Sequence, residues 1–230
     1  MSDTIVHSFD PVTLVGGGEA TSDDLHKALT LAPICVAADG GAALALNAGV
    51  DIEAVIGDFD SITAETLSQV PADRLHKIAE QDSTDFEKAL RRINAPVVLG
   101  VGFLGGRIDH QLAAFHSLTA LPDRPCILIG TDEVICLAPP EITLPTSAGD
   151  VVSLFPMGQV TGRSVGLQWP IEGLEFVPTS KIGTSNSALG EVTLQMEAPR
   201  MLLILPRRLM SGLVALLAQQ GSARWSAHAR

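Results

Sequence analysis

Between residues 12 and about 138, short apolar runs alternate with stretches whose apolar positions recur at helical spacing. "VTLVGGG" (12–18) predicts a strand ending in a glycine turn. "SDDLHKALTL" (22–31) predicts a helix with Ser22 as its N-cap, acidic residues in its first turn, and Leu25, Ala28 and Leu29 on one face. "ICVAADGG" (34–41) reads as a second strand, "AALALNAG" (42–49) as a short helix closed by Gly49, and "EAVIGDFD" (53–60) as a third strand. A helical turn near 64–70 and a short "HKIA" run follow. Next come the helix "DFEKALRRI" (85–93), the strand "PVVLGVGF" (96–103), the helix "IDHQLAAFHSLTAL" (108–121) and the strand "CILIGTD" (126–132). Strands alternating with helices imply parallel pairing through crossovers, hence a layered α/β domain.

Beyond "LAPPEITLP" the punctuation changes. "EITLP", "DVVSLFPM", "VTGRSVGLQW", "GLEFVP", "ALGEVTLQME" and "RMLLILP" are short runs closely spaced by Gly, Pro and Ser, which predicts an all-β sandwich or small barrel. The boundary falls near Pro139–Pro140, giving an α/β domain over 1–138 with a mainly parallel sheet and a β-sandwich over 139–230. "LMSGLVALLA" predicts a short C-terminal helix.

Composition narrows the functional classes. Apolar residues make up 46% of 230 and charged residues 18%, a globular balance. A net charge of -11 argues against a nucleic-acid surface, which needs clustered Lys and Arg. The same charge sets a condition: a polyphosphate could bind only with something to offset repulsion, and a divalent cation is the usual answer. Cys35, Cys126 and Cys136 lie in apolar runs without CxxC spacing, as buried free thiols of a reducing compartment do. "MSDTIVHSFD" lacks the basic and apolar regions of a signal peptide. No run approaches the roughly 18 apolar residues of a membrane span, so a cytoplasmic protein is expected.

The acidic residues are not spread evenly. "VIGDFDSI" (55–62) puts Asp58 and Asp60 on one short turn, where they would repel unless water, a donor or a cation separates them. Asp39 follows the second strand in "DGG". Asp82 and Asp85 follow the short run near 78 in "EQDSTDFEKAL", and Asp109 follows Arg107 in "GGRIDH". Ligands of doubly wound sheets bind beyond the carboxyl ends of the strands, where all of these residues fall. Metal-assisted transfer at phosphorus suits such a cluster, because Mg²⁺ is usually held by one or two carboxylates plus substrate phosphates. Lys88, one turn beyond Asp85, reads either as a phosphate contact or as half of a surface ion pair. Arg107 offers a planar fork for phosphate, or a helix-entry turn capped by Asp109. "GGG" at 16–18 is not a GxGxxG fingerprint, no P-loop or GxSxG elbow occurs, and His26, His76 and His116 lack metal-ligand spacing. Trp169 and Trp225 are the only tryptophans in a chain without tyrosine.

Taken in order, "DGG" (39–41), "GDFDS" (57–61), "DSTDFEKAL" (82–90), "GGRIDH" (105–110), "GLQW" (166–169) and "GTSN" (183–186) resemble the thiamine pyrophosphokinase family over almost the whole chain. The resemblance implies an N-terminal α/β domain, a C-terminal β-sandwich and a homodimer. It implies transfer of the pyrophosphoryl group of ATP to thiamine with Mg²⁺, leaving AMP. By similarity Asp58, Asp60 and Asp85 would hold the metal and, with Arg107 and Asp109, carry the chemistry. Asp39, Gly40, Gly41, Lys88, Arg107 and His110 would meet the nucleotide. Gln81, Asp82, Trp169, Ser185 and Asn186 would meet thiamine at a site between subunits, where the cationic thiazolium would suit an exposed Trp169. The alcohol would attack Pβ in line, with either Asp60 or Asp109 accepting its proton. Two alternatives stay open on the residues alone: a diphosphokinase for another hydroxymethyl heterocycle such as a pterin, and a non-catalytic nucleotide or thiamine sensor.

Overall fold

A strand covered on both faces has no polar side to offer, and the first half of the chain is written that way. In the computed structural model every residue of "VTLV", "AVIG" and "VLGV" is buried. The structure describes residues 4–219 and 223–227; Met1–Asp3, part of the amino-terminal stretch read above, lie outside them. Two compact units divide between Ser117 and Leu118.

In chain order the first unit contains β1 (Val6–His7), β2 (Val12–Val15), α1 (Ser22–Leu29), β3 (Ile34–Ala38), α2 (Gly41–Asn47), β4 (Ala54–Gly57) and α3 (Ala64–Ser68). It continues with β5 (Leu75–Lys77), α4 (Asp85–Arg92), β6 (Ile93–Asn94), β7 (Val98–Val101) and most of α5 (Ile108–Ala120). Strands β7-β2-β3-β4-β5 form a parallel sheet in that order, with Leu14 facing Val36 on one side and Gly100 on the other. The short β1 and β6 pair with each other, also in parallel. Helices α1 and α2 bury Leu25, Ala42 and Ala45 against Val15, Cys35, Ala37 and Val55. The N-cap of α1 is Thr21, one residue before the serine expected. Its hydroxyl accepts from Asp24 N while the Asp24 carboxylate accepts from Thr21 N, a reciprocal box that Ser22, with Leu25 three residues on, could not form.

The second unit contains β8 (Cys126–Ile129), β9 (Glu133–Leu137), β10 (Glu141–Leu144), β11 (Val151–Pro156), β12 (Gly162–Leu167), β13 (Gly183–Met196), β14 (Met201–Pro206) and α6 (Met210–Ala218). Its strands run in the order β8-β9-β14-β11-β13-β10, with β12 also on β13, and every pairing among them is antiparallel. Strand β13 is long enough to serve two sheets: its first residues pair with β11 and its later ones with β10 and β12. Alternation now shows, as in "EITL", where exposed and buried residues take turns.

The run 126–132 holds the strand β8, Cys126–Ile129, which pairs antiparallel with β9. One expected strand needs correction. "GLEFVP" is not a strand; Phe176 makes a single bridge to Val160. Cys35, Cys126 and Cys136 are free and buried, and burial pushes the Cys35 thiol up to about 12. No helix among the described residues is long and apolar enough to cross a membrane.

At Gly41, the first residue of α2, an added Cβ would lie 2.1 Å from the Val15 carbonyl oxygen. Backbone cannot yield as a side-chain tip can. Gly41→Ala is expected to destabilise the fold by about 3 kcal/mol, read as a lowered urea midpoint with unchanged slope.

Candidate functional site

The site is assembled where β3, β4 and β5 end. At the end of β3 the Asp39 N–H still donates to Ile56 O, 3.1 Å away on β4, and the chain then turns out with Asp39 at φ 42. A left-handed aspartate is tolerated because its short polar side chain bonds locally. Here Oδ2 accepts from Ser61 N at 3.1 Å. The close approach is possible because residue 57 has no side chain: a Cβ there would lie 2.8 Å from the Asp39 Cβ. At the end of β4, Phe59 is also left-handed, at φ 67. Its ring packs on the cluster containing Val15, Leu25 and Val55, and that packing offsets the backbone cost. Asp58 Oδ1 accepts from Asp60 N at 3.3 Å, and Ser61 Oγ donates to Asp60 Oδ1 at 2.8 Å.

The outcome is a trio. Asp39, Asp58 and Asp60 each present an oxygen, and the three lie within 4.8 Å of one another. Asp39 is 2% exposed, and its Oδ1 is buried without a hydrogen-bond partner. A buried carboxylate oxygen left unpaired is costly. Hard oxygen donors gathered around such an atom fit one divalent cation.

Helix α4 supplies the opposing charge. Its sequence divides by face: Asp85 and Lys88 project together at i, i+3, while Phe86 packs its ring against Phe103 with centroids 4.5 Å apart. Thr84 caps the helix by accepting from Glu87 N. The Lys88 side chain is 2% exposed, with Nζ 2.8 Å from Asp58 Oδ2 and 3.0 Å from Asp85 Oδ1. Gln81 Nε2 donates to the same Asp58 oxygen at 3.2 Å. The bond from Lys88 holds the Asp58 carboxyl below the ordinary range, with help from Asp60 N and Gln81. Asp85 shifts the other way. Desolvation raises it, and the neighbouring Asp58 and Asp39 charges add to that, although 31% of its side chain is exposed against 11% for Asp58. Donor count explains the contrast: Asp58 collects three donors, whereas Asp85 is bonded by Lys88 amid like charge. Burial by itself would depress the Lys88 ammonium, but Asp58 and Asp85 more than offset it and leave it raised.

Other expected residues stand further out. Arg107 grips Asp109 through Nε and Nη2 at 3.1 and 2.6 Å, both side chains largely exposed, and that grip holds the Asp109 carboxyl down at about 2. His110 N donates to the same carboxylate. Among the described residues no ion pair joins Arg107 or Asp109 to the trio. Gly40 and Gly41 open α2 beside the glycine loop that follows β2, where a Cβ on Gly17 would lie 3.5 Å from Gly40. Asp82 is exposed, and its N–H donates to Glu80. Two residues of the site went unread in the sequence. Ser61, inside "GDFDS", ties Asp39 to Asp60, and Glu80 takes bonds from Ser83 and Asp82 that shape the turn before α4.

In the second unit Trp169 is 60% exposed and is not a core residue. Asn186 is buried and clasps the Trp169 backbone, accepting from its N–H at 3.2 Å and donating to its carbonyl at 2.7 Å. Ser185, left-handed at φ 62, donates its N–H to Ser153 Oγ. Trp225 is structural: its indole N–H donates to Ala138 O at 2.9 Å.

Known proteins share this fold. The crystal structure of thiamin pyrophosphokinase from Geobacillus thermodenitrificans superposes with a TM-score of 0.70 at 26% identity, covering 85% of this chain and 96% of that one. An α/β unit followed by a β-sandwich is thus the class to which the fold belongs. The sequence model described as thiamin pyrophosphokinase, catalytic domain, matches residues 25–129. Thiamine pyrophosphokinase 2 of Oryza sativa subsp. japonica is 33% identical over 167 residues, 64% of this chain and 62% of that protein. Thiamine pyrophosphokinase 1 of Arabidopsis thaliana is 29% identical over 163 residues, 63% and 61% of the two. The matches span less than two thirds of these plant proteins' length. By these matches the chain is similar to thiamine pyrophosphokinases.

Asp58 sets an acid limb on stability. Its folded pKa lies below the unfolded value, so its contribution is complete above the unfolded pKa and is lost as pH falls through the folded one. Asp85, raised, has the opposite sign: its contribution is complete below the unfolded pKa and is lost as pH rises through the folded one. Asp58→Asn is therefore expected to be less stable than wild type near neutrality, with the gap narrowing from about pH 5 to about pH 2. Urea unfolding across that range reads the difference, and a gap that does not change with pH would remove the assignment.

Proposed function

We propose that this chain is a metal-dependent ATP:thiamine diphosphotransferase, giving thiamine diphosphate and AMP. Similarity to thiamine pyrophosphokinases supports the reading, and one observation in the molecule carries it. The buried, unpartnered Asp39 oxygen, grouped with Asp58 and Asp60 at the strand ends, needs a cation that a triphosphate would bring. Asp39, Asp58 and Asp60 would hold a divalent ion, Mg²⁺ on this reading. When bound, such an ion neutralises phosphate charge and polarises the phosphorus centre.

The chain's own residues then have separate tasks. Gly17, Gly40 and Gly41 keep the strand exits free of side chains, so that phosphates could approach the backbone. Arg107 presents a fork suited to phosphate, preorganised by Asp109 and His110. Gln81, bonded to Asp58, and the neighbouring Asp82 would meet the alcohol substrate on this reading. Either Asp60 or Asp109 would accept the alcohol proton; Arg107 and the His110 N–H already bond the Asp109 carboxylate. Trp169, Ser185 and Asn186 form the second unit's contribution to thiamine binding, which on this reading is completed by a partner subunit in a homodimer. The exposed indole suits a cationic aromatic ring.

Protein mixed with ATP, Mg²⁺ and thiamine is expected to release AMP and thiamine diphosphate in equal amounts. ADP as the product, or AMP whose release does not depend on thiamine, would reject the reading. Asp58→Asn and Asp60→Asn are each expected to lower kcat by about a hundredfold or more with the circular dichroism spectrum unchanged. Near-wild-type turnover in both would remove the carboxylates from the mechanism.

A further inference from the structure

Strand β13 opens out of register. Along most of its length the faces alternate, with Asn186, Ala188, Val192 and Leu194 buried, and on that pattern Thr184 would be buried too. Thr184 and Ser185 are instead exposed side by side. The cause is a bulge. Strand β11 pairs Val151 with Ser187 and Val152 with Asn186, but Leu154 with Gly183, so Thr184 and Ser185 together oppose Ser153. We infer that Ser153 is a positioning residue for the substrate site of the second unit, holding the bulge that carries Ser185 out of the ladder beside Asn186 and Trp169. This rests on the reading of Trp169, Ser185 and Asn186 as thiamine contacts, and extends it to a residue buried behind them.

Strain, anchoring and adjacency carry the assignment. Ser185 lies at φ 62, a conformation that a serine keeps only when its surroundings impose it. Ser153 Oγ accepts the Ser185 N–H at 2.9 Å, a side-chain bond where a regular ladder would use backbone. Ser153 itself is buried, and its strand is fixed from the other side: Ser153 to Pro156 pair in unbroken register with Ile204 to Met201 of β14. The hydroxyl is therefore a fixed point. The next residue, Asn186, closes both polar groups of the Trp169 backbone, so the bulge and the clasp on Trp169 share one peptide unit. Without the Ser153 oxygen the Ser185 N–H has no partner across the bulge. Restoring the ladder would draw Ser185 back opposite Ser153 and turn Thr184 onto the buried face.

The test compares Ser153→Thr with Ser153→Val, which have the same shape and differ in the oxygen, by AMP release from ATP, Mg²⁺ and thiamine. The valine variant is expected to raise KM for thiamine about tenfold above the threonine variant, with kcat and KM for ATP each within about threefold. The threonine variant is expected to stay within about threefold of wild type, because its hydroxyl can take the same bond. Ser153→Ala adds no bulk and is expected to follow the valine variant, so it carries the comparison where valine crowds the strand. In a Ser185→Gly background, where a positive φ needs no support, Ser153→Val is expected to change the thiamine KM by less than about twofold. Thermal melts establish that each variant is folded at the assay temperature. Equal thiamine KM with and without the oxygen at residue 153, or equal losses for thiamine and ATP, would overturn the positioning role and leave the thiamine reading standing. Wild-type protein that releases no AMP with thiamine would overturn both.

Discussion

Like charges brought to one place must be separated or balanced, and that constraint governs the first unit of this chain. Parallel strands end side by side, so any residue just past a strand end is delivered to a common edge. Aspartates at several of those ends would repel one another at a cost that burial magnifies. The chain meets this with a lysine that is almost wholly enclosed, bonded to Asp58 and Asp85, and with backbone N–H groups of Asp60 and Ser61 aimed at Asp58 and Asp39. The oxygen left over, Oδ1 of Asp39, marks where the balance is incomplete.

That arrangement depends on backbone conformations that most residues avoid. Asp39 and Phe59 are both left-handed without being glycine. Each is secured by something outside itself: Asp39 by the missing side chain at Gly57 and the bond from Ser61, Phe59 by packing against the core beneath the sheet. Local strain at the site is thus held by tertiary contacts, the usual pattern for functional turns. Helix α4 ties the pieces together. Its Phe86 steadies Phe103 in the loop after β7, while Asp85 and Lys88 face the acidic edge from the same helix.

The second unit shows the same economy in a different fold. Asn186 is buried, and its amide closes both polar groups of the Trp169 backbone while the indole stays largely exposed. An exposed tryptophan whose backbone is clasped from below is a rigid surface.

Much of this was legible in the sequence. Uniformly apolar runs marked β2, β4 and β7, the turn residues marked their ends, and the order of the acidic motifs was enough to suggest both the edge where they meet and the family. These are local properties, written in residue type and spacing. What tertiary structure alone decided is who pairs with whom. The resemblance grouped Asp85 with Asp58 and Asp60; the third dimension sets Asp39 beside that turn and brings Lys88 to Asp85. Nor could spacing reveal that β8 turns back on β9, since an apolar run fits parallel or antiparallel neighbours equally well. Strand-end position is encoded along the chain; the distance between two strand ends is set by sheet order, which depends on every crossover together.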